Sequence, residues 1–387
     1  MTDAMTDAAP FKVGITGSYG GLNMGDEAIL EGIVQELRRS VRVELTVFSR
    51  DPADTTARHD VERALPVRDL SRDEVRPELE RLDLLIVGGG GILYDGEAEL
   101  YLREAHIAHE LGIPVVIYAV SAGPLEAADG RTSVREALER AAVVSVRDRQ
   151  SRHLLEQIGL RREVVVTADP ALLLTPRPLE PGTQEREGLT GDRPLIGVSV
   201  RERGPAAPDI DEASYHQLLA DAADFLVYRY DADLVFVPME RRAFDVQQSH
   251  AVLSRMTRAD RATVLKGEYG PGELLTIVGQ LDFAIGMRLH FLLFAAVQHV
   301  PFVALPYSSK VTSFLEDLEM QMPAVQVVSA GQLMARIDRS WDNRAELRTR
   351  LASKVPALQA RARITNQLLT EVLQRRRQDA PRSEAAG

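Results

Sequence analysis

The feature that most constrains this chain is an alternation that runs through it twice. Short runs of Val, Ile and Leu take turns with longer segments whose apolar residues recur every three or four positions. The first series places strands at 12–16, 43–48, 84–87, 115–120, 143–146 and 164–167. Helical segments fall between them at 26–39, 97–111, 134–141 and 150–158. In the first of these, Ile29, Leu30, Ile33, Val34 and Leu37 share one face. Such alternation predicts a mainly parallel sheet with helices on both faces. It stops at 174–194, where Pro176, Pro178, Pro181, Gly182, Gly188 and Gly191 stand among charges and the chain reads as a linker. A second series follows, with strands at 195–200, 234–237, 263–265, 283–285, 302–305 and 325–328.

The fold class that follows is α/β, with two Rossmann-like domains. A chain of 387 residues is too long for one ordinary core. The expected boundaries are 11–175 for the N-terminal domain, 176–193 for the linker and 194–338 for the C-terminal domain. C-terminal helices are expected over 339–376, with a break near Pro356 and unstructured ends at 1–10 and 377–387. Two such domains imply a cleft between them, a favoured place for ligands.

Composition narrows the function. A net charge of −11 argues against a nucleic-acid partner for the chain as a whole, while leaving room for a local basic pocket. Without cysteine there is no disulfide, thiolate metal site or cysteine nucleophile. The first ten residues lack the basic-then-apolar order of a signal peptide. The longest apolar candidate, 283–305, is interrupted by Arg288, His290, His299 and Pro301, so no membrane span is expected. The expected location is the cytoplasm. Residues 339–377 carry ten basic and three acidic side chains. They read either as a solvated helix face packed on the body or as a contact with the inner face of an anionic membrane.

The chemistry concentrates in a few motifs. Gly286-Met287-Arg288-Leu289-His290 ends the apolar run at 281–285 and sets a fixed cation two residues from an imidazole. Strand ends face the ligand crevice in open α/β sheets. A guanidinium clamps phosphate or carboxylate with a rigid fork, and an imidazole moves protons near neutral pH. Lys310, after the next strand in Pro306-Tyr307-Ser308-Ser309-Lys310, adds a second cation. Arg147 and Arg201 also end strands; for Arg147 the alternative reading is an ion pair with an acid such as Asp148.

The loop from Gly17 to Glu27 is glycine-rich and opens a helix, but it is neither a P-loop nor a dinucleotide fingerprint. It reads equally as an anion-binding turn or as a tight turn capped by Asp26. Gly88-Gly89-Gly90-Gly91 follows a strand and reads either as close ligand approach or as a squeezed loop. His106 and His109 share a helix face that is expected to be solvated, with no further metal ligands close in sequence.

Taken together, several segments resemble the polysaccharide pyruvyl transferase family. They are Asn23-Met24-Gly25-Asp26-Glu27-Ala28, Gly88-Gly89-Gly90, Val144-Ser145-Val146-Arg147-Asp148, Gly286-Met287-Arg288-Leu289-His290 and Tyr307-Ser308-Ser309-Lys310-Val311. The resemblance covers about 11–320 and leans to the bacterial branch that pyruvylates secondary cell-wall polymers, which anchor S-layers. It implies a GT-B-like architecture, phosphoenolpyruvate as donor, a pair of hydroxyls on a sugar as acceptor, and a pyruvate ketal as product. It implies no metal and no cofactor beyond that co-substrate.

By the resemblance, Arg288 falls on the family's donor-binding arginine and His290 on its proposed general acid. Arg147 or Arg201 falls near a further donor-binding arginine. Lys310 and Ser308 join the donor side, while Asn23, Asp26, Glu27, Gly89 and Gly90 join the acceptor side. Pro238-Met239-Glu240-Arg241-Arg242 departs from the family's usual polar residue after Pro-Phe or Pro-Met. The alternatives are a GT-B nucleotide-sugar glycosyltransferase, which would use Arg288 and Lys310 on a nucleoside diphosphate, and a glycan-binding module without turnover.

Overall fold

The structure, a computed structural model, describes residues 9–202, 211–240, 245–305, 308–320 and 329–379. The chain divides into two compact units. Unit 1 comprises Met1–Gly21, Ile29–Leu173 and Ala360–Gly387; unit 2 comprises Leu22–Ala28 and Leu174–Gln359.

Unit 1 opens with β1 (Phe11–Thr16), α1 (Met24–Ser40, whose first turn belongs to unit 2), β2 (Val43–Ser49), α2 (Pro52–Arg58), β3 (Arg63–Pro66) and α3 (Arg72–Glu80). It continues through β4 (Leu84–Leu93), α4 (Ala98–Glu110), β5 (Val115–Ala122), α5 (Ala128–Glu139), β6 (Val143–Val146), α6 (Arg149–Gln157) and β7 (Val165–Val166). All seven strands pair in parallel, in the order β3-β2-β1-β4-β5-β6-β7. Covered on both faces, β1 and β4 are almost wholly buried, which is why apolar residues dominate β1 and the first half of β4. Leu85, Val87, Ile117 and Val120 of the sheet pack with Leu102 and Ala105 of α4.

Several elements here depart from expectation. β4 does not end at Val87; it runs on through the four glycines, and Gly88, Gly90 and Gly91 pair with Tyr118, Val120 and Ser121 of β5. β3 carries no apolar alternation and forms by pairing with β2 at the sheet edge.

Unit 2 begins with α7 (Thr183–Glu187), a short helix inside the stretch read as a linker. The alternation follows: β8 (Leu195–Ser199), α8 (Glu212–Tyr230), β9 (Asp233–Phe236), α9 (Asp245–Leu253), β10 (Ala262–Val264) and α10 (Pro271–Val278). Then come β11 (Phe283–Gly286), α11 (Leu289–Val297), β12 (Phe302–Ala304), α12 (Ser309–Asp317), α13 (Ala330–Asp342) and the first part of α14 (Arg344–Asp379), whose residues from Ala360 belong to unit 1. The sheet is parallel, in the order β10-β9-β8-β11-β12. Val198, Phe236, Phe283 and Ile285 pack on Tyr215, Leu219 and Leu226 of α8, and Trp341 stacks on Tyr230 at 4.4 Å. The strand expected at 325–328 lies outside the described residues.

α14 does not break at Pro356. Leu351, Val355, Leu358, Ala362, Leu369 and Leu373 form a buried stripe along it, and that burial offsets a mid-helix proline, which costs about 3 kcal/mol. The helix also continues through Arg377 to Asp379, where an unstructured end was expected; residues 1–8 and 380–387 lie outside the described residues. No helix among the described residues is long and apolar enough to cross a membrane.

Candidate functional site

In the sheet of unit 2 the strand order reverses between β8 and β11, and such reversals open the ligand crevice of α/β sheets at the carboxyl ends of the strands. Arg288 stands at that end of β11. It occupies the N-cap position of α11 with extended backbone (φ −67, ψ 126), and His290 follows as the second residue of the helix. Arg201 stands two residues past β8, and Ser308 and Lys310 stand at the start of α12, beyond β12. Unit 2 therefore gathers Arg201, Arg288, His290, Ser308 and Lys310 on the carboxyl side of one sheet.

Three carboxylates organise the guanidinium groups. Arg288 Nε donates to Asp245 Oδ2 at 3.0 Å, and Nη2 donates to Asp245 Oδ1 at 2.5 Å and Glu240 Oε2 at 2.9 Å. Glu202 lies between the arginines: it pairs with Arg201, and its other oxygen is 3.9 Å from Arg288 Nη2. Asp245, the first residue of α9, is fully buried and also accepts from the backbone N–H groups of Met239 and Glu240, both at 3.1 Å. Burial pushes the Asp245 carboxyl up, against the pull of Arg288. Burial also works against ionisation of Glu202, but Arg201 outweighs it, with help from Arg288, and holds that carboxyl below the usual range. Sequence reasoning named none of these acids as a partner of Arg288. Asp245 is 43 residues away in the chain, and Glu240 showed itself only as a departure from the family pattern.

The turn at 22–28 belongs to the same unit. Asn23 bridges Glu240 in antiparallel fashion, and Met24 N–H donates to Met239 O at 2.8 Å. Asn23 Oδ1 accepts from Gly25 N–H at 3.0 Å, so Asn23 rather than Asp26 caps α1. Asp26 and Glu27 sit in the first turn, Glu27 fully buried. The half-buried His290 ring lies against Gly25. The Ser308 hydroxyl oxygen is buried with no hydrogen-bond partner among the described residues.

Unit 1 holds the remaining expected residues. Arg147 is buried and does not pair with Asp148: its Nη1 meets Asp169 Oδ2 at 2.7 Å and its Nε donates to Ser121 Oγ at 2.5 Å. Asp148 instead caps α6, accepting from Ser151 N–H at 2.7 Å. Gly89 and Gly90 lie inside β4 with φ of 68° and 82°. A β-carbon at Gly89 would stand 1.8 Å from Ile29 Cγ2, so close packing by itself requires that glycine. The face carrying His106 and His109 is only partly solvated: His106 is half-buried and His109 is buried with Nε2 2.9 Å from Ala137 O, and burial pushes both imidazoles down. In the basic stretch of α14, Arg376 donates to Gly112 O at 3.4 Å and Arg377 to Ala9 O at 2.5 Å.

Comparison with known proteins bears on the fold and the family. The fold is shared with UDP-GlcNAc 2-epimerase from Neisseria meningitidis, at a TM-score of 0.64, 10% identity, and coverage of 93% of this chain and 99% of that one. It is also shared with Alr3699/HepE from Anabaena, solved with UDP and glucose, at a TM-score of 0.61, 16% identity, and coverage of 95% and 100%. Both likenesses speak for a GT-B-like architecture of two parallel-sheet α/β domains. In sequence the chain is 22% identical over 290 residues to the amylovoran biosynthesis protein AmsJ of Erwinia amylovora, covering 72% of this chain and 70% of that protein. The profile of one family matches residues 23–309, from the turn that caps α1 to the start of α12, and so spans the whole arginine–histidine cluster. The chain belongs to the polysaccharide pyruvyl transferase family.

Proposed function

We propose that this protein transfers a pyruvyl group from phosphoenolpyruvate to two hydroxyls of one sugar in a cell-wall or exopolysaccharide precursor. The observation that carries the reading is the pairing of Arg288 and His290 at the start of α11, beside the reversal of strand order, with Arg201 joined to Arg288 through Glu202. Family membership supports it.

Phosphoenolpyruvate carries a phosphate and a carboxylate, for which two cations are a physical minimum. In this reading Arg288 and Arg201 hold the donor, with Lys310 and Ser308 at its edge; Arg201 is preferred to Arg147 because it shares Glu202 with Arg288. His290 gives a proton to the methylene carbon, and the neighbouring carbon becomes electrophilic. One sugar hydroxyl adds there and its proton returns to the His290 imidazole. Phosphate then leaves, stabilised by the guanidinium groups. The second hydroxyl closes the cyclic ketal and its proton passes to the departing phosphate. In this reading Asn23 and Asp26, on the turn bonded to Met239 and Glu240, serve the acceptor side, with the buried Glu27 behind them. A lipid-linked acceptor would bring this chemistry to an anionic membrane face.

The test is incubation with phosphoenolpyruvate and a panel of synthetic glycosides. Phosphate release that depends on the glycoside, with a ketal product by mass spectrometry, is the expected result. Release of nucleotide from a sugar nucleotide, with phosphoenolpyruvate left intact, would replace the reading with that of a glycosyltransferase.

A further inference from the structure

We propose that Gly25 is a positioning residue for His290, its missing side chain being what lets the imidazole sit where it does. The proposal rests on the reading above in taking His290 as the proton donor, but the contact itself is independent of that role.

A β-carbon at Gly25 would lie 2.1 Å from His290 Nδ1 and 2.8 Å from both Cε1 and Cγ. These are the three ring atoms on one edge, so the imidazole is seated against the backbone of the first turn of α1. The turn cannot back away. Met24 N–H is bonded to Met239 O, Asn23 bridges Glu240, and Gly25 N–H is held by Asn23 Oδ1. Met239 and Glu240 are fixed in turn through their own N–H groups on buried Asp245, the acid that grips Arg288. A side chain at residue 25 would therefore have to be accommodated by the ring. The histidine has only two side-chain torsions and stands in the first turn of α11, so its ring moves as a whole and its protonating nitrogen moves with it.

Helix energetics sharpen the point. Gly25 is the second residue of α1, a position where alanine is the better helix former. Glycine there weakens the helix, and the reason lies in what its bare α-carbon faces. A glycine kept only for α1 predicts that Gly25→Ala is neutral or stabilising in every assay. A glycine kept for His290 predicts a stable protein with a misplaced acid.

The experiment compares wild type with Gly25→Ala by thermal melting, by steady-state kinetics with phosphoenolpyruvate, and by nitrogen-15 NMR of histidine-labelled protein. The His290 signals are assigned by their loss in His290→Gln. The expected result is an unchanged or raised melting midpoint, a kcat lower by about 10²-fold, and a KM for phosphoenolpyruvate within about twofold, as for a reacting group misplaced by about an ångström. The Nδ1 and Nε2 resonances of His290 shift, while those of the other seven of the 8 histidines stay in place. Unchanged His290 resonances would overturn the proposal. So would a lowered melting midpoint with shifts across all the histidines, which marks a merely structural glycine. If the wild type shows no turnover of phosphoenolpyruvate, the functional reading falls, and the His290 resonances alone then decide the role of Gly25.

Discussion

Asp245 grips Arg288 at two points, Oδ2 on Nε at 3.0 Å and Oδ1 on Nη2 at 2.5 Å, with the carboxylate fully buried and the arginine side chain 12% exposed. This is the planar fork-to-fork geometry that only a guanidinium offers. It fixes the plane of Arg288 from behind and, through the N–H groups of Met239 and Glu240, ties that plane to the turn that caps α1.

Asp245→Asn leaves the guanidinium without its main countercharge in a largely dry setting. Breaking one side of such a pair is expected to cost about 3 kcal/mol of stability, read from urea unfolding at pH 7. A loss below about 0.5 kcal/mol would equate the pair with an ordinary surface contact. Arg288→Lys keeps the charge but not the fork. A lost charge-assisted hydrogen bond is worth about 1.5–3 kcal/mol, so the KM for phosphoenolpyruvate is expected to rise at least tenfold.

Glu240 has the opposite character. Its carboxylate meets Arg288 Nη2 at 2.9 Å from a side chain 28% exposed, so it competes for the group that an anionic donor would take. Glu240→Gln is expected to lower the KM for phosphoenolpyruvate by up to about fivefold, the equivalent of a contact worth about 1 kcal/mol. A raised KM would make Glu240 part of the clamp rather than its competitor.

Much of the fold could be read in the sequence because buried parallel strands announce themselves. β5 and β11 are dominated by apolar residues, β1 and β2 are β-branched and apolar with only a few polar interruptions, and α1 carries its apolar face at helical spacing. β3 was missed because Arg63-Ala64-Leu65-Pro66 becomes a strand only by pairing with β2. α3 was missed although its capping box, Ser71 with Glu74, stands in the sequence; Pro77 inside it masks the pattern. Pro356 misled in the other direction, since local propensity carries no trace of the stripe buried along α14. In the site, Arg288 and His290 could be recognised because their chemistry is local. Asp245 and Gly25 could not, because their importance lies in what folding sets beside them.

A pH dependence follows from Glu187 at the end of α7. Its carboxylate accepts from Lys266 N–H and Gly267 N–H at 2.8 Å and from the Tyr269 hydroxyl at 2.6 Å. Burial opposes ionisation, but these bonds outweigh it and hold the carboxyl below the ordinary 4.5. The unfolded chain therefore takes up the proton first. The stabilisation is complete above about pH 4.5 and is lost as pH falls through the lower folded value. Glu187→Gln is expected to be less stable than wild type at pH 7 and to show a flatter stability curve below about pH 4.5. Parallel curves for the two proteins in that acid range would remove Glu187 from the account.

His290 carries the most decisive prediction because the proposed chemistry gives it the proton transfer itself. Arginine is a poor proton donor at neutral pH, since its guanidinium does not deprotonate in proteins. The proposal gives the proton for the methylene carbon to the imidazole at the start of α11. His290→Gln keeps polarity and approximate size but cannot protonate carbon, and general acid–base groups are worth about 10²–10⁴-fold in rate. The expected outcome is a kcat lowered by that factor, with the KM for phosphoenolpyruvate within about threefold of wild type, because the proposal rests the donor's charges on Arg288 and Arg201. A solvent-exchange measurement adds a second readout. Wild type incubated in deuterated buffer is expected to place one deuterium in the methyl group of the ketal, and His290→Gln to slow that incorporation in step with turnover. Equal loss of donor binding and rate would recast His290 as a binding residue, and near wild-type turnover would move the proton to another group altogether.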